Sequence, residues 1–164
     1  MLAIAEPILA SAKEAASKIS SKQVVDIKAL NNPPEVVKMI CTCIYLLYQR
    51  IEEKEGGKLF NEGKVNIKDT EWGTVKATAL GDMKLLYRMM NYRIEFLKKD
   101  NVNAVQKIFD ALEKLRKSGP DPPDMSAFVK SKSEAALGMY NWATNTAKVY
   151  EIWRDVEPKQ IRAQ

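Results

Sequence analysis

Apolar positions recur at helical spacing along most of the chain, and the places where that spacing stops divide it. Between residues 2 and 31 two stripes can be traced, Ala5, Ile8, Ala12, Ala15 and Ile19 on one, Leu9, Ala12, Ala16, Ile19 and Gln23 on the other. Stripes this rich in small residues do not hold a helix alone in water, so the spacing predicts one long helix laid against a partner. A plain amphipathic helix of a bundle has the same pattern. Val24, Val25, Ile27 and Leu30 strengthen it toward Asn31-Asn32-Pro33-Pro34, where the helix must stop, because proline lacks an N–H and pushes its predecessor out of the α region. A new helix starts at once, with Asn32 as cap and both prolines in the first turn. From Pro33 to about Arg50, Val36, Val37, Met39, Ile40, Ile44, Leu46, Leu47 and Tyr48 surround the helix almost completely, which makes it the core helix.

Residues 52–70 change character. Leu59-Phe60 and Val65/Ile67 flank the turn signal Asn61-Glu62-Gly63, so the insertion suits a short surface β-hairpin or a bare loop, with Gly56-Gly57 stopping the helix before it. Asp69 or Thr70 caps a short helix carrying Trp72, Val75 and Ala79 and ending at Gly81. The next helix turns Met83, Leu85, Leu86, Met89 and Met90 inward and sets Lys84 and Arg88, one turn apart, on its other side as a basic ridge. Val102, Val105, Ile108, Phe109, Leu112 and Leu115 make a longer helix that Gly119-Pro120 ends. Past the stiff Asp121-Pro122-Pro123-Asp124 connector, capped by Asp124 or Ser126, one helix runs uninterrupted to Glu157, about 48 Å at 1.5 Å per residue. It also offers two stripes: Ala136, Met139, Ala143, Thr146, Tyr150 and Trp153, and Met139, Trp142, Thr146, Val149, Trp153 and Val156.

Composition supports a mostly helical chain with a real core: 46% of the 164 residues are hydrophobic, and glycine and proline number seven each. The net charge of +5 suits an acidic partner of some kind without choosing among protein, membrane surface and nucleic acid. No apolar run reaches the roughly 18–20 residues of a membrane span, and Met1-Leu2-Ala3-Ile4 has no basic region of a signal peptide. Chemistry is sparse. Histidine is absent, removing the commonest general base and metal ligand. Cys41 and Cys43 point to different faces of one helix and behave as core thiols, not as a disulfide or a zinc pair. Gly56-Gly57-Lys58 lacks the spacing and the Ser or Thr of a phosphate loop. These absences argue against an enzyme and call for neither metal nor cofactor. Basic candidates remain: Lys38, Lys84 with Arg88, and Lys114, Arg116 and Lys117. The last three also suit an ordinary solvated helix end that complements the dipole.

Several motifs stand in a distinctive order: Ala5-Glu6-Pro7 with Ala12-Lys13-Glu14-Ala15, Leu30-Asn31-Asn32-Pro33-Pro34 before Val37-Lys38, and Glu71-Trp72 with Leu80-Gly81. Asn91-Tyr92, Lys130-Ser131-Lys132-Ser133 leading to Trp142, and Asp155-Val156-Glu157-Pro158-Lys159 follow. In these the chain resembles the microtubule-binding stalk tip of dynein heavy chains. The opening and closing motifs look more like axonemal outer-arm chains than the cytoplasmic motor. The resemblance implies an all-α fold: a small helical bundle head over 32–140 capping an antiparallel two-stranded coiled coil, its strands 1–31 and 141–164; the short β-hairpin insertion is read from the residues. Lys38, Lys84, Arg88, Lys114, Arg116 and Lys117 would face α/β-tubulin, and Pro33, Pro34 and Pro158 would form the stalk–head hinge. It implies no nucleic acid or membrane partner, no cofactor, an ATPase confined to the motor ring of a larger heavy chain, and a place in the cytoskeleton of a cilium or flagellum. Residues 52–68 depart from the family by their length. A free-standing basic adaptor for an acidic protein or membrane surface is the alternative from the residues alone, and a nucleic-acid-binding bundle is a third reading.

Overall fold

The computed structural model describes residues 5–53, 55–62, 65–119 and 124–163, with the backbone alone at 59, 61, 62 and 156–163. Two helices form where one was expected over 2–31: α1 (Glu6–Ser17) and α2 (Ser21–Lys28). The break is a capping box. Ser20 Oγ accepts the Gln23 N–H at 3.1 Å, and Gln23 Oε1 accepts the Ser20 N–H at 2.9 Å. Gln23, a stripe position by spacing, therefore satisfies a helix end instead.

The core helix α3 (Glu35–Leu47) starts after the proline pair, with Pro34 at the N-cap position and no side-chain cap. Asn32 is not the cap, and neither proline enters the first turn: Pro34 stands at the N-cap position with an extended ψ of 148°, and it disfavours a helical Pro33 before it. Trp72 Nε1 donates to the Leu30 carbonyl at 2.9 Å and fixes the joint from outside. The helix is buried on nearly every face and ends at Leu47, earlier than Arg50. Side chains capture its last carbonyls: Asn101 Nδ2 donates to Leu46 O at 2.7 Å and the Tyr92 hydroxyl to Leu47 O at 2.6 Å. The chain then turns extended at Tyr48 and enters an antiparallel hairpin of β1 (Arg50–Glu53) and β2 (Leu59–Glu62). Its turn is Gly56-Gly57, at φ +92° and +78°, which only glycine adopts without strain. The expected turn at Asn61-Glu62-Gly63 is wrong: Asn61 and Glu62 belong to β2, and Gly63 lies outside the described residues.

After α4 (Trp72–Thr78) come α5 (Leu85–Met90), a 3₁₀ turn (Ile94–Phe96), α6 (Lys99–Ser118), α7 (Met125–Lys132) and α8 (Glu134–Ala163). Asp69 does not cap α4; its carboxylate accepts from the Thr74 hydroxyl at 3.1 Å. Asp124 does cap α7, accepting from the Ala127 N–H at 2.7 Å. The helix expected from 126 to 157 is interrupted at Ser133, which lies extended and takes the Ala136 N–H on its Oγ at 3.1 Å. It then continues through Pro158 to Ala163. Residues 120–123 of the connector lie outside the described residues.

Packing follows the apolar faces. Helix α3 lies against α4, α6, α7 and α8, while α1 lies against α8 and also against α5. Trp142 is fully buried, donates Nε1 to Met89 O at 2.9 Å and meets the Tyr92 ring edge-on at 5.2 Å. The result is an all-α multi-helix bundle with one small hairpin.

Close approach at two glycines matters for stability. A Cβ on Gly138 would stand 2.7 Å from Ile19 Cγ1, so α8 and α1 meet there. On Gly81, just beyond α4, it would stand 2.8 Å from the Ala77 carbonyl oxygen, a backbone atom that cannot swing aside. Gly81→Ala is expected to destabilise the protein by about 1–3 kcal/mol through this overpacking, measured by urea unfolding.

Candidate binding surface

The expected surface cations do not form one patch. Lys38 is half-buried in the first turn of α3, whereas Tyr48, just past the other end, leads to the Lys84 and Arg88 region. About 15 Å of helix axis separates the two levels at 1.5 Å per residue. Asn101 bonds the C-terminal end of α3, and Thr42 and Leu46 share a groove with Asp100, Asn103, Ala104 and Lys107, so α6 runs back along α3. That direction carries Lys114, Arg116 and Lys117 toward the Lys38 end. Lys114 and Lys117 are exposed there, Lys117 within 3.8 Å of Glu113. Arg116 is paired with Glu113 and only 18% exposed. Pro33 is buried and Pro34 exposed at the joint. Pro158 lies within the helical backbone of α8, its side chain outside the described residues.

The largest difference from expectation is α5. Met83, expected inside, is fully exposed, with Tyr87 and Met90 on the same outer stripe. Arg88, expected on an outer ridge with Lys84, turns inward with Leu85 and Met89 and is 10% exposed. Its Nε donates to Asp82 Oδ2 at 2.6 Å and its Nη2 to Glu52 Oε1 at 3.0 Å. The Tyr48 hydroxyl donates to the same Asp82 oxygen at 2.6 Å, while the Lys84 N–H takes Asp82 Oδ1 at 2.9 Å. Arg50 reaches Glu52 at 3.1 Å. Two carboxylates in a partly buried place supplied the signal that spacing alone could not: a guanidinium is the side chain able to bond both.

Electrostatics follow from these contacts. Burial alone would raise the Asp82 pKa, but hydrogen bonds from Tyr48, the Lys84 N–H and Arg88, with the charge of Arg88, outweigh it and hold the group below its ordinary 3.8. Bonds from Arg50 and Arg88 lower Glu52. Burial, then the Asp82 carboxylate, raise the Tyr48 phenol. Burial pushes the Cys41 thiol up to about 12 and Cys43 higher still, so both stay protonated and inert. Among the described residues no cluster of three or more His, Cys, Asp or Glu could hold a metal ion, and no helix is long and apolar enough to cross a membrane.

The fold is a helical bundle with a small hairpin, and comparison with known proteins decides its family. A family model described as the microtubule-binding stalk of dynein motor matches residues 1–163. The chain belongs to this dynein stalk family. It is 28% identical over 163 residues to the ciliary dynein beta chain of Tripneustes gratilla, covering 99% of this chain and 3% of that one. It is 30% identical over 158 residues to the flagellar outer-arm dynein beta chain of Chlamydomonas reinhardtii, covering 95% and 3%. Human dynein axonemal heavy chain 9 is 28% identical over 159 residues, covering 97% and 3%. The dynein stalk chain therefore spans only a small fraction of the relatives it matches.

The ionic cluster gives the dynein stalk chain a measurable acid sensitivity. A carboxyl whose folded pKa lies below its unfolded value adds stability that is fully present above the unfolded pKa and is lost as pH falls through the folded one. Asp82→Asn is expected to lower stability by about 1–3 kcal/mol at neutral pH by weakening bonds to charged partners. In denaturant titrations, that deficit narrows as the pH falls below the ordinary carboxyl value of 3.8.

Proposed function

We propose that this chain is the microtubule-binding tip of an axonemal dynein heavy chain, docking on α/β-tubulin through exposed lysines. The observation that carries the reading is the family match over 1–163. Support comes from the net charge of +5, since tubulin is acidic and exposed cations steer encounter with an acidic surface. Lys38, Lys114 and Lys117 form one contact group at the joint end of α3 and Lys84 forms another. Arg116 supports Lys114 and Lys117, and Arg88 belongs to the Lys84 group. The relatives named as ciliary and flagellar outer-arm dyneins support a place in the axoneme. The ATPase then belongs to the motor ring of the larger heavy chain.

The finer division is part of the proposal: 32–140 as head, 1–31 and 141–164 as antiparallel stalk strands, and Pro33, Pro34 and Pro158 as the hinge between them. Sliding of one strand against the other shifts the head between weak and strong binding states. Both apolar stripes of the N-terminal helix meet the bundle: Ala5, Ala12, Ala15, Ala16 and Ile19 are buried and Ile8 and Leu9 partly so. Two shallow seams suit a strand with two registers.

Co-sedimentation with microtubules at low and moderate salt tests the partner. Pelleting should fall with salt, and Lys38→Glu should weaken it about tenfold or more; no pelleting at either salt overturns the reading unless the other register restores it. Cysteine pairs that cross-link the strands in each register test the switch. Equal affinity in both would sink it.

A further inference from the structure

Arg88 has the charge of a docking residue and the position of a structural one. Its guanidinium bonds Glu52 on β1 and Asp82 ahead of α5, and Asp82 is held a second time by Tyr48 at the end of the core helix. The free oxygen of Asp82 takes the Lys84 N–H. Lys84 is exposed beside the fully exposed Met83, at the N-cap position of α5. The chain of bonds thus runs from the core, through two carboxylates, to the backbone that presents one outward cation, and through Glu52 to the hairpin.

We infer that Arg88 is a positioning residue: it clamps the hairpin and the start of α5 to the core helix and acts on the partner only through the placement of Lys84. The inference deepens the microtubule-binding reading and rests on it for its binding part. The physical reason is geometric. A guanidinium bonded to two carboxylates and 10% exposed is engaged within the protein and offers little surface to an incoming acidic partner. Lysine carries the charge but not the rigid planar fork, so it does not fix the two carboxylates in the same geometry.

A double-mutant cycle distinguishes placement from contact. Binding to microtubules is measured for the wild type, Arg88→Gln, Lys84→Gln and the double variant, each first checked for folding by thermal melting. If Arg88 acts through Lys84, each single change weakens binding by about three- to tenfold and the double variant is no weaker than Lys84→Gln. Additive losses, or a Lys84→Gln protein that binds like wild type, overturn the inference. If Arg88→Gln does not fold, Arg88→Lys takes its place in the cycle under the same criterion. Hydrogen exchange supplies an arm independent of any partner: amides of β1 and β2 should exchange faster in Arg88→Gln and in Glu52→Gln while those of α6 hold. Unchanged hairpin exchange overturns the clamp even if microtubule binding is confirmed. Normal clamp behaviour in a chain that binds no microtubules overturns the functional reading instead.

Discussion

A helix buried on nearly every side has to end somewhere, and where α3 ends decides the arrangement of the bundle. The last turn of a helix leaves carbonyls without internal partners, and inside a protein no water is there to take them. Asn101 and Tyr92 supply the missing donors for Leu46 and Leu47. Each comes from a different part of the chain, so each bond also fixes a neighbour: Asn101 the start of α6, Tyr92 the segment after α5. Tyr92 packs edge-on against Trp142, which in turn donates to Met89. The end of one helix thereby fixes α5, α6 and α8 relative to each other. Buried Gln49 adds a reciprocal pair with the Arg93 backbone, donating to its carbonyl at 2.9 Å and accepting its N–H at 3.3 Å.

The same end of α3 explains the placing of charge. Once Tyr48 leaves the helix, its hydroxyl lies among polar groups that cannot be left unpaired, and Asp82 accepts from it. A carboxylate there needs a cation, and Arg88 lies one helical turn beyond Lys84 on the segment that Asp82 starts. Burying an arginine between two carboxylates stabilises little by itself, because desolvation offsets much of the attraction. It does make the geometry specific, since losing one partner strands the other charges. Basic residues near a helix end are therefore not equivalent: Lys84 remains in solvent and Arg88 becomes part of the fold.

Much of the architecture was legible in the residues. The core helix, the stop at Asn31-Asn32-Pro33-Pro34, the short helices before and after Gly81 and the long helix ending at Gly119 followed from periodicity and from glycine and proline chemistry, whereas the insertion was open between a hairpin and a bare loop. What spacing missed was local competition. Ser20 with Gln23, and Ser133 with Ala136, break helices that the apolar pattern carries straight through, because a hydroxyl cap offers the backbone an alternative partner. The hairpin turn went to Gly56-Gly57, where positive φ is required, and not to the asparagine-containing signal. On α5 the pattern was ambiguous: six residues with four large apolar side chains give no clear inner face, and tertiary contacts with Asp82 and Glu52 chose it. Surface cations were legible as residue types, but their exposure depended on acids distant in sequence.

The contact between α1 and α8 is asymmetric in a way that bears on any relative motion. Along α8 the buried groups include the large Met139, Trp142, Val149 and Tyr150 beside Ala135, Ala136, Ala143 and Ala147, and Trp142 is also hydrogen-bonded to Met89. On the α1 side they are mostly methyl groups of Ala5, Ala12, Ala15 and Ala16. Each methyl is worth about 0.8 kcal/mol on burial, and one alanine substitutes for another with little change. Displacing α8 would break a specific polar bond and empty a tight core. Displacing α1 by a turn would exchange similar alanine contacts, with Ile8, Leu9 and the packing on α5 to be remade. The exception is Ile19, whose side chain fills the space left by the missing Cβ of Gly138. That pairing, just past the last turn of α1, sets a bulky group into a slot of matching shape and so favours one register of the two helices.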